Sequence, residues 1–518
     1  MTGRLPSATA KGKALRREIA ALDIAASCES VDLWAASRDC SPAAMLWTQA
    51  RLVPHLPDVV AWPENAEQVS ALVRFAAERQ VPVVAVGGGT GIAGGAVPVR
   101  GGIVLDTKRL VRPLRIDGER GSVDAGAGVN GKRLDELLAQ ERLTLGHAPA
   151  SLRTATVGGW LATRSAGLLS TRYGSVADMV LSLTAVDGTG EILRTLDGPS
   201  AGPDLAQLLL GSEGTLAVFT EARLRIWPRP RERWLRALRF DSLGEALAAV
   251  REALRAGLRP AIVRLHDPLD TLLSHADPVH VPQPLKWLAE GAQAEALRLA
   301  LKAPLVLNRL VDALAASSLV VLGFEADSED DAAEEGEAAL AICRRERGED
   351  LGAAPAERWL ASMHRALWRQ APLFAAGAFV ETLDFATTWD RAEPLYQAVR
   401  GAAEGLALVR AHFDHAAREG CAVEVSLVGH VGAGNGEGAP VKEASAGLEE
   451  AERRLEAAAG AALSAAADEG ATISHHSGVG ASRQVFLRRE LGEGMRQLRA
   501  LKRAFDPRGI LNPGKLLL

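Results

Sequence analysis

Three stretches of this 518-residue chain combine residue types and spacings that can do chemistry. The first is "VGGGTGIAGG" (86–95), where Gly87, Gly88, Gly89, Thr90 and Gly91 present bare backbone amides in sequence. Gly89, Gly91 and Gly94 also spell G-x-G-x-x-G, but a dinucleotide fold needs a helix at once, because the helix N-terminus holds the anion. Val97-Pro98-Val99-Arg100-Gly101-Gly102 follows instead, and a proline and two glycines cannot fill a helix interior. No GK[ST] follows either, which excludes a P-loop. What remains is either a plain tight turn or a loop whose amides cradle a pyrophosphate.

The second stretch is "TVGGWLATRSAG" (156–167), where Gly158 and Gly159 allow close backbone approach and Thr156 and Thr163 carry hydroxyl donors. "GSEGTLAVFTEA" (211–222) joins it as a glycine-flanked turn leading into a strand, which alone reads as a hairpin turn. The third is a dispersed acid-base set. Arg264 interrupts the apolar run "PAIVRLHDP" (260–268), so it requires an anionic partner: either a structural carboxylate or a bound acid or phosphate. His475 and His476 sit in the Ser/Gly-rich loop "SHHSGVG" (474–480), where adjacent imidazoles favour a site over surface decoration.

The elements that must position these residues follow from patterning. "AEQVSALVRFAAERQ" (66–80) has helical spacing, punctuated at its start by Pro63 and Asn65. Short apolar runs at 81–86, 101–107, 121–129, 180–188 and 215–226 read as strands, giving an α+β domain over 57–228. "WPRPRER" (227–233) marks a boundary. Helical periodicity dominates 234–425, with a strand at 318–326, an acidic helix face at 328–339 and an amphipathic helix at 446–470. The expected organisation is an N-terminal helical segment (1–56), the α+β domain, a second domain (229–470) and a C-terminal segment (471–518) that contributes to the site.

Composition limits the classes open to such a chain. Hydrophobic residues at 47% and charged residues at 24% describe an ordinary globular protein, and a net charge of −5 gives no general pull toward nucleic acid. Four scattered cysteines without a CxxC pair fit reduced thiols in a cytoplasmic setting. No run of 18 apolar residues spans a membrane, while peripheral membrane contact and a homodimer stay open.

Together, "PDVVAWPENAEQVSALVRFAAERQVPVVAVGGGTG", "VLDTKRL", "DAGAGV", "TLGHAPASLRTATVGGW", "YGSVADMV" and "GPDLAQLLLGSEGTLAVFTEARLRI" resemble the vanillyl-alcohol oxidase family, with its PCMH-type FAD-binding domain. "LKRAFDPRGILNPGKLLL" (501–518) resembles the closing segment of FAD-linked oxidases. The resemblance implies two α/β subdomains holding FAD, an α+β substrate cap and a C-terminal tail that returns to the flavin. It places the pyrophosphate on Gly87–Gly91 and lines the cofactor with Thr156, Gly158, Gly159, Thr163, Glu213, Gly214 and Val218, with Asp106 and His147 as further contacts.

Two branches compete within that family. "GHVGAGNGEG" (429–438) is similar to the D-2-hydroxy acid dehydrogenases, whose substrates are small acids such as D-lactate and glycolate. "LGHAPASL", "SHHSGVG" and "FVETLDFATTWDR" (379–391) are more similar to alkylglycerone-phosphate synthase, which acts on a lipid phosphate ester. The synthase resemblance implies a substrate-binding arginine at Arg264; the expected reaction takes Arg264 as anion clamp and His476 or His430 as base, with His475 beside His476. The dehydrogenase pattern also implies a divalent metal, here reduced to His430, Glu437 and His476, which could hold Zn²⁺ or Mn²⁺; a metal-free loop is the preferred reading. Ser477 stands where the synthases carry a third histidine, and neither tyrosine, Tyr173 or Tyr396, lies in the synthases' tyrosine region. The expectation is FAD-dependent oxidation of a small 2-hydroxy acid. The alternatives are a synthase-like ether-lipid enzyme and a flavoprotein with a decayed catalytic set. The electron acceptor is not legible.

Overall fold

A computed structural model describes residues 8–198, 201–273, 298–314, 317–363, 373–374, 376–431 and 441–518. Two compact units emerge: Met1–Ala166, Gly174–Arg229 and His476–Leu518 form the first, and Gly167–Tyr173 and Pro230–His475 the second.

In the first unit, β1 (Ala25–Ser27), β2 (Val59–Trp62), β3 (Val83–Val86) and β4 (Ile103–Asp106) form one sheet in the order β1-β2-β4-β3. The helix Ala66–Arg79 enters through Asn65, whose side chain accepts from the Gln68 N–H (2.8 Å). It buries Val69, Leu72, Val73 and Ala76, the face its spacing anticipates. The N-terminal segment carries the helices Ala10–Ala20, Ser30–Ala35 and Pro42–Ala50 and belongs to the first unit. β1 pairs antiparallel with β2, covering an edge that would otherwise expose unpaired amides.

The other edge of this sheet is closed by the end of the chain. Val83 and Leu511 form a parallel bridge, the Val83 N–H donates to Ile510 O and the Asn512 N–H to Val83 O, both at 2.8 Å. Lys502, buried, satisfies its three donors on Thr215 O (2.7 Å), Asp506 (2.6 Å) and Leu511 O (2.7 Å).

A second sheet contains β5 (Leu114–Asp117), β6 (Ser122–Gly126), β8 (Val180–Asp187), β9 (Ile192–Arg194) and β10 (Ala217–Arg225), in the order β5-β6-β10-β8-β9. β7 (Leu143–Thr144) pairs with β11 (Trp227–Pro228) in a separate two-stranded sheet.

The second unit is built on seven strands rather than on helices with occasional strands. They are β12 (Glu232–Phe240), β13 (Ile262–His266), β14 (Ser318–Ala326), β15 (Glu349–Gly352), β16 (Ala378–Thr388), β17 (Leu408–Asp414) and β18 (Gly420–His430). Their order is β15-β12-β14-β13-β17-β18-β16. Helices Leu243–Arg255, Glu329–Arg345, Trp389–Ala403 and Val441–Asp468 pack on it. Strands such as β14, buried at eight consecutive positions, lose the alternation that announces a half-exposed strand. β14 still showed as an apolar run at 318–326, but β18, buried at its last six positions, stayed hidden in the sequence.

Candidate functional site

In the first unit, the glycine loop leaves β3 and runs to β4 without a helix, so no dinucleotide-type helix terminus exists there. The loop lies against the 156–163 segment. A Cβ on Gly87 would fall 2.2 Å from Thr156 Oγ1, and one on Gly88 2.1 Å from Thr154 O, so only glycine permits this approach. Gly89 has φ +65°, and the space beside its Cα is open. Thr156 caps the helix Val157–Thr163, accepting from the Gly159 N–H (3.4 Å), and Thr163 donates to Gly159 O (3.4 Å). An open glycine cradle beside a helix N-terminus fits the diphosphate of FAD.

Other expected cofactor contacts are engaged elsewhere. Asp106 accepts from Trp62 Nε1 (3.0 Å) and the Lys108 N–H (3.0 Å) and pairs with Lys108 Nζ (2.7 Å). Val218 is core, paired with Val186 across β10 and β8. Buried His147 meets the edge of Trp160, with ring centroids 4.6 Å apart. Gly214 turns at φ +72°, and a Cβ placed there would stand 3.8 Å from Ala85 Cβ.

Glu213 is turned toward the C-terminal segment. Its carboxylate accepts from the Val479 N–H (2.7 Å) and the Gly480 N–H (2.9 Å), and its oxygen sits 2.9 Å from where a Gly95 Cβ would stand. Burial pushes this carboxyl up to about 7, against the pull of those amides and of Arg483 and Lys515. Burial likewise pushes Lys515 down to about 8, although Asp39 and Glu213 oppose it. Lys515 donates to Val97 O (2.8 Å), and Asn512 donates to Gly95 O (2.9 Å) and Glu213 O (2.7 Å). These residues tie the 211–214 turn and the C-terminal segment to residues 95–97 of the glycine loop, a role that the turn at 211–214 did not announce.

In the second unit, register brings an ionic cluster onto one face of the central strands. Arg264 and His266 lie on β13, Arg410, His412 and Asp414 on β17, Glu424 on β18 and Asp384 on β16. Arg264 pairs with Asp414 (3.3 Å) and stands over Trp359 (5.8 Å to the ring centroid). Its Nε is buried without a hydrogen-bond partner among the described residues. His266 Nδ1 meets Asp270 (2.6 Å), which also pairs with Arg410 (3.1 Å). Burial opposes ionisation of Asp270, but His266 and Arg410 hold it well below the usual carboxylate range.

His412 lies 3.3 Å from Glu424, its cross-strand partner. Burial and the Arg264 charge disfavour its proton, yet Glu424 and Asp270 outweigh them and raise it to about 9. Beyond Asp414, the His415 ring stacks on His475 with centroids 5.4 Å apart, and the His475 N–H donates to Asp384 (2.9 Å).

His430 does not join this cluster. Glu424 pairs with Asp384, which binds His475, and His430 lies six residues further along β18. At ~3.3 Å per residue that is roughly 20 Å, beyond any shared metal ion. His430 instead lies beside Arg298, Lys302 and Arg454, and burial and those cations lower its pKa. Glu437 falls outside the described residues, so the expected His430–Glu437–His476 set loses its first ligand. His412, Asp414, His415 and Glu424 went unnoticed in the sequence. The H-x-D alternation at 412–414, set in a strand, was the one available signal.

A family model for the FAD binding domain matches residues 57–196, and one for the C-terminal domain of FAD linked oxidases matches 229–516. The chain belongs to the FAD-linked oxidases, and FAD is its cofactor. It is 41% identical over 208 residues to D-lactate dehydrogenase of Archaeoglobus fulgidus, covering 39% of this chain and 46% of that one. Glycolate oxidase subunit GlcD of Bacillus subtilis is 29% identical over 89% of each chain. Alkyldihydroxyacetonephosphate synthase of Trypanosoma brucei brucei is 27% identical over 91% of this chain and 75% of that one. A solved structure of an alkyldihydroxyacetonephosphate synthase shares the fold, with TM-score 0.72 at 22% identity over 97% of this chain and 84% of that one.

Proposed function

We propose that this FAD-linked oxidoreductase oxidises a small 2-hydroxy acid to the 2-oxo acid. The observation that carries the reading is Arg264, a largely buried guanidinium that gives one nitrogen to Asp414 and keeps an unsatisfied Nε–H. A substrate carboxylate is the group that such a donor lacks. FAD, when bound, supplies a two-electron acceptor for the hydride from the substrate carbon. The chain's residues do the rest: Arg264 holds the acid, and an imidazole of the 475–476 pair takes the hydroxyl proton as the C–H bond breaks.

The charged character of the Arg264 face suits a small polar acid better than an alkyl chain. The synthase-like alternative draws support from the similarity over 91% of the chain. Against it, both tyrosines are committed: Tyr173 donates to Glu325 (3.1 Å) and Tyr396 to Asp267 (3.0 Å). Burial and the adjacent carboxylates push both phenols up, away from acid-base work.

Anaerobic mixing of the FAD-loaded protein with D-lactate, glycolate or D-2-hydroxyglutarate should bleach the flavin's visible band. Exchange of a fatty alcohol into acyl-dihydroxyacetone phosphate without bleaching would select the synthase reading. Tight FAD binding with neither activity would leave a flavoprotein without this catalysis.

A further inference from the structure

The segment 298–314 of the second unit packs with one side and exposes apolar groups on the other. Leu301, Leu307 and Val311 enter a core cluster with Leu269, Val380, Leu408 and Val428. On the outward side, Leu299 and Val306 are each 67% exposed, and Leu305 and Leu310 are exposed beside them. Leu406 adds a fifth such side chain from the turn after the helix Trp389–Ala403. These five are among only twelve large exposed hydrophobics in the described residues, so nearly half of that surface falls on one rim. Singly scattered leucines need no explanation, whereas a cluster does.

Leu406 of this rim also lines a cavity of 570 Å³, together with Arg298 and Lys302 of the same segment, Arg453, Arg454 and His430, and no carboxylate is in its lining. Glu450 pairs with Arg453 and Arg454 at 2.7 Å each. The lining is thus basic on a chain whose net charge is −5.

We infer that this patch docks the protein on a bilayer surface rich in anionic phospholipid. The lipid phosphates sit in the basic cavity, and Leu299, Leu305, Val306, Leu310 and Leu406 enter the headgroup–acyl boundary. The two halves of the patch select this occupant together. A wholly apolar partner would strand the four cations, and a nucleic acid would leave the leucines in water. An anionic membrane surface satisfies both, through electrostatic attraction and apolar burial. No described helix is long and apolar enough to cross the bilayer, so the contact is peripheral.

The test is flotation of the FAD-loaded full chain with vesicles of phosphatidylcholine alone or with added phosphatidylglycerol. Wild type should float with the phosphatidylglycerol vesicles, stay behind with phosphatidylcholine alone, and be released by salt. Two variants should each weaken that binding, the charge reversal R453E/R454E by roughly tenfold or more and the rim variant L299S/V306S by several-fold. All four positions are exposed, and retained flavin absorbance verifies that each variant is folded. Four results would overturn the inference. One is no flotation at any composition. A second is flotation that both variants retain, which places the contact elsewhere. A third is calorimetric binding of inorganic diphosphate, lost in R453E/R454E, without flotation; that makes the cavity a soluble-anion site. The fourth is a change of sedimentation mass in L299S/V306S without flotation, which makes the rim an interface between two copies.

Discussion

Arg264 and Asp414, on neighbouring strands of the second unit, lie 3.3 Å apart, and this pair leaves the guanidinium's Nε–H unsatisfied. An arginine satisfied completely by its own fold could not hold a substrate, and one without Asp414 would have no fixed direction. Replacing Arg264 by methionine should therefore raise KM for the hydroxy acid and lower kcat/KM by roughly 10²–10³-fold, the worth of a buried charge-assisted pair. Arg264→Lys should recover part of that loss. Steady-state kinetics with flavin content held equal measures both, and an unchanged kcat/KM in Arg264→Met would remove this residue from substrate binding.

The His412–Glu424 pair makes stability depend on pH in a defined direction. The folded protein holds the His412 proton up to about 9, whereas the unfolded chain releases it near the ordinary 6.5. The stabilisation is complete below about pH 6.5 and disappears as pH rises through about 9, a change on the order of 2–3 kcal/mol. Glu424, which His412 holds below its ordinary value, loses its share only in acid. Urea unfolding followed across this range should show the decline in the wild type and a flatter profile in His412→Gln. Equal slopes in the two proteins would refute the coupling.

Glu213 predicts the opposite behaviour from that of an ordinary surface carboxylate. Its folded pKa is raised to about 7, so burial stabilises the protonated form. The first unit should lose stability as pH rises from about 4.5 to about 7, by roughly a few kcal/mol at most. Glu213→Ala leaves the Val479 and Gly480 amides without an acceptor, at about 1–3 kcal/mol, and loosens the glycine loop. FAD affinity should fall by at least roughly tenfold, as read by ultrafiltration of released flavin, while the second unit keeps its structure.

The glycine loop separates a cofactor effect from a folding effect. Gly89 has open space beside it, so Gly89→Ala puts a methyl group into the cradle and strains φ, costing about 1 kcal/mol in stability. It should abolish tight FAD binding in a protein that still folds. Gly88→Ala would drive its Cβ to 2.1 Å from Thr154 O and should fail to fold at all. Circular dichroism with flavin quantitation distinguishes the two, and full FAD retention in Gly89→Ala would move the diphosphate off this loop.

What the sequence disclosed and what it concealed divide along local and non-local chemistry. The cradle at 86–91 and the cap at Thr156 are short-range devices made of glycines and a hydroxyl, so their spelling shows them. Excluding a dinucleotide fold needed only Pro98, Gly101 and Gly102. Arg264 stood out because a charge in an apolar strand is costly. His412 and Glu424 are twelve residues apart and become a pair only through the β17–β18 register, which no local pattern fixes. His430 looked like a partner of His476 because the dehydrogenase resemblance implied a shared metal, but distance along β18 separates it from the Glu424–Asp384 pair that holds His475. The carboxylates of Glu213 and Asp106 accept from Val479, Gly480 and Trp62, partners that become neighbours only in three dimensions.

The clasp of Asn512 and Lys515 on Gly95 and Val97 also sets an order of events during synthesis. Residues 230–475 leave the ribosome as one nearly complete unit and can pack early, in company with the already made 167–173. The cofactor cradle, although made long before, must wait for residue 515 before its tie to the C-terminal segment exists. Until then β3 keeps a bare edge and the nascent chain carries an unfinished flavin site. A stalled or nicked product lacking those last residues would therefore be a folded second unit tethered to an apo, aggregation-prone first one.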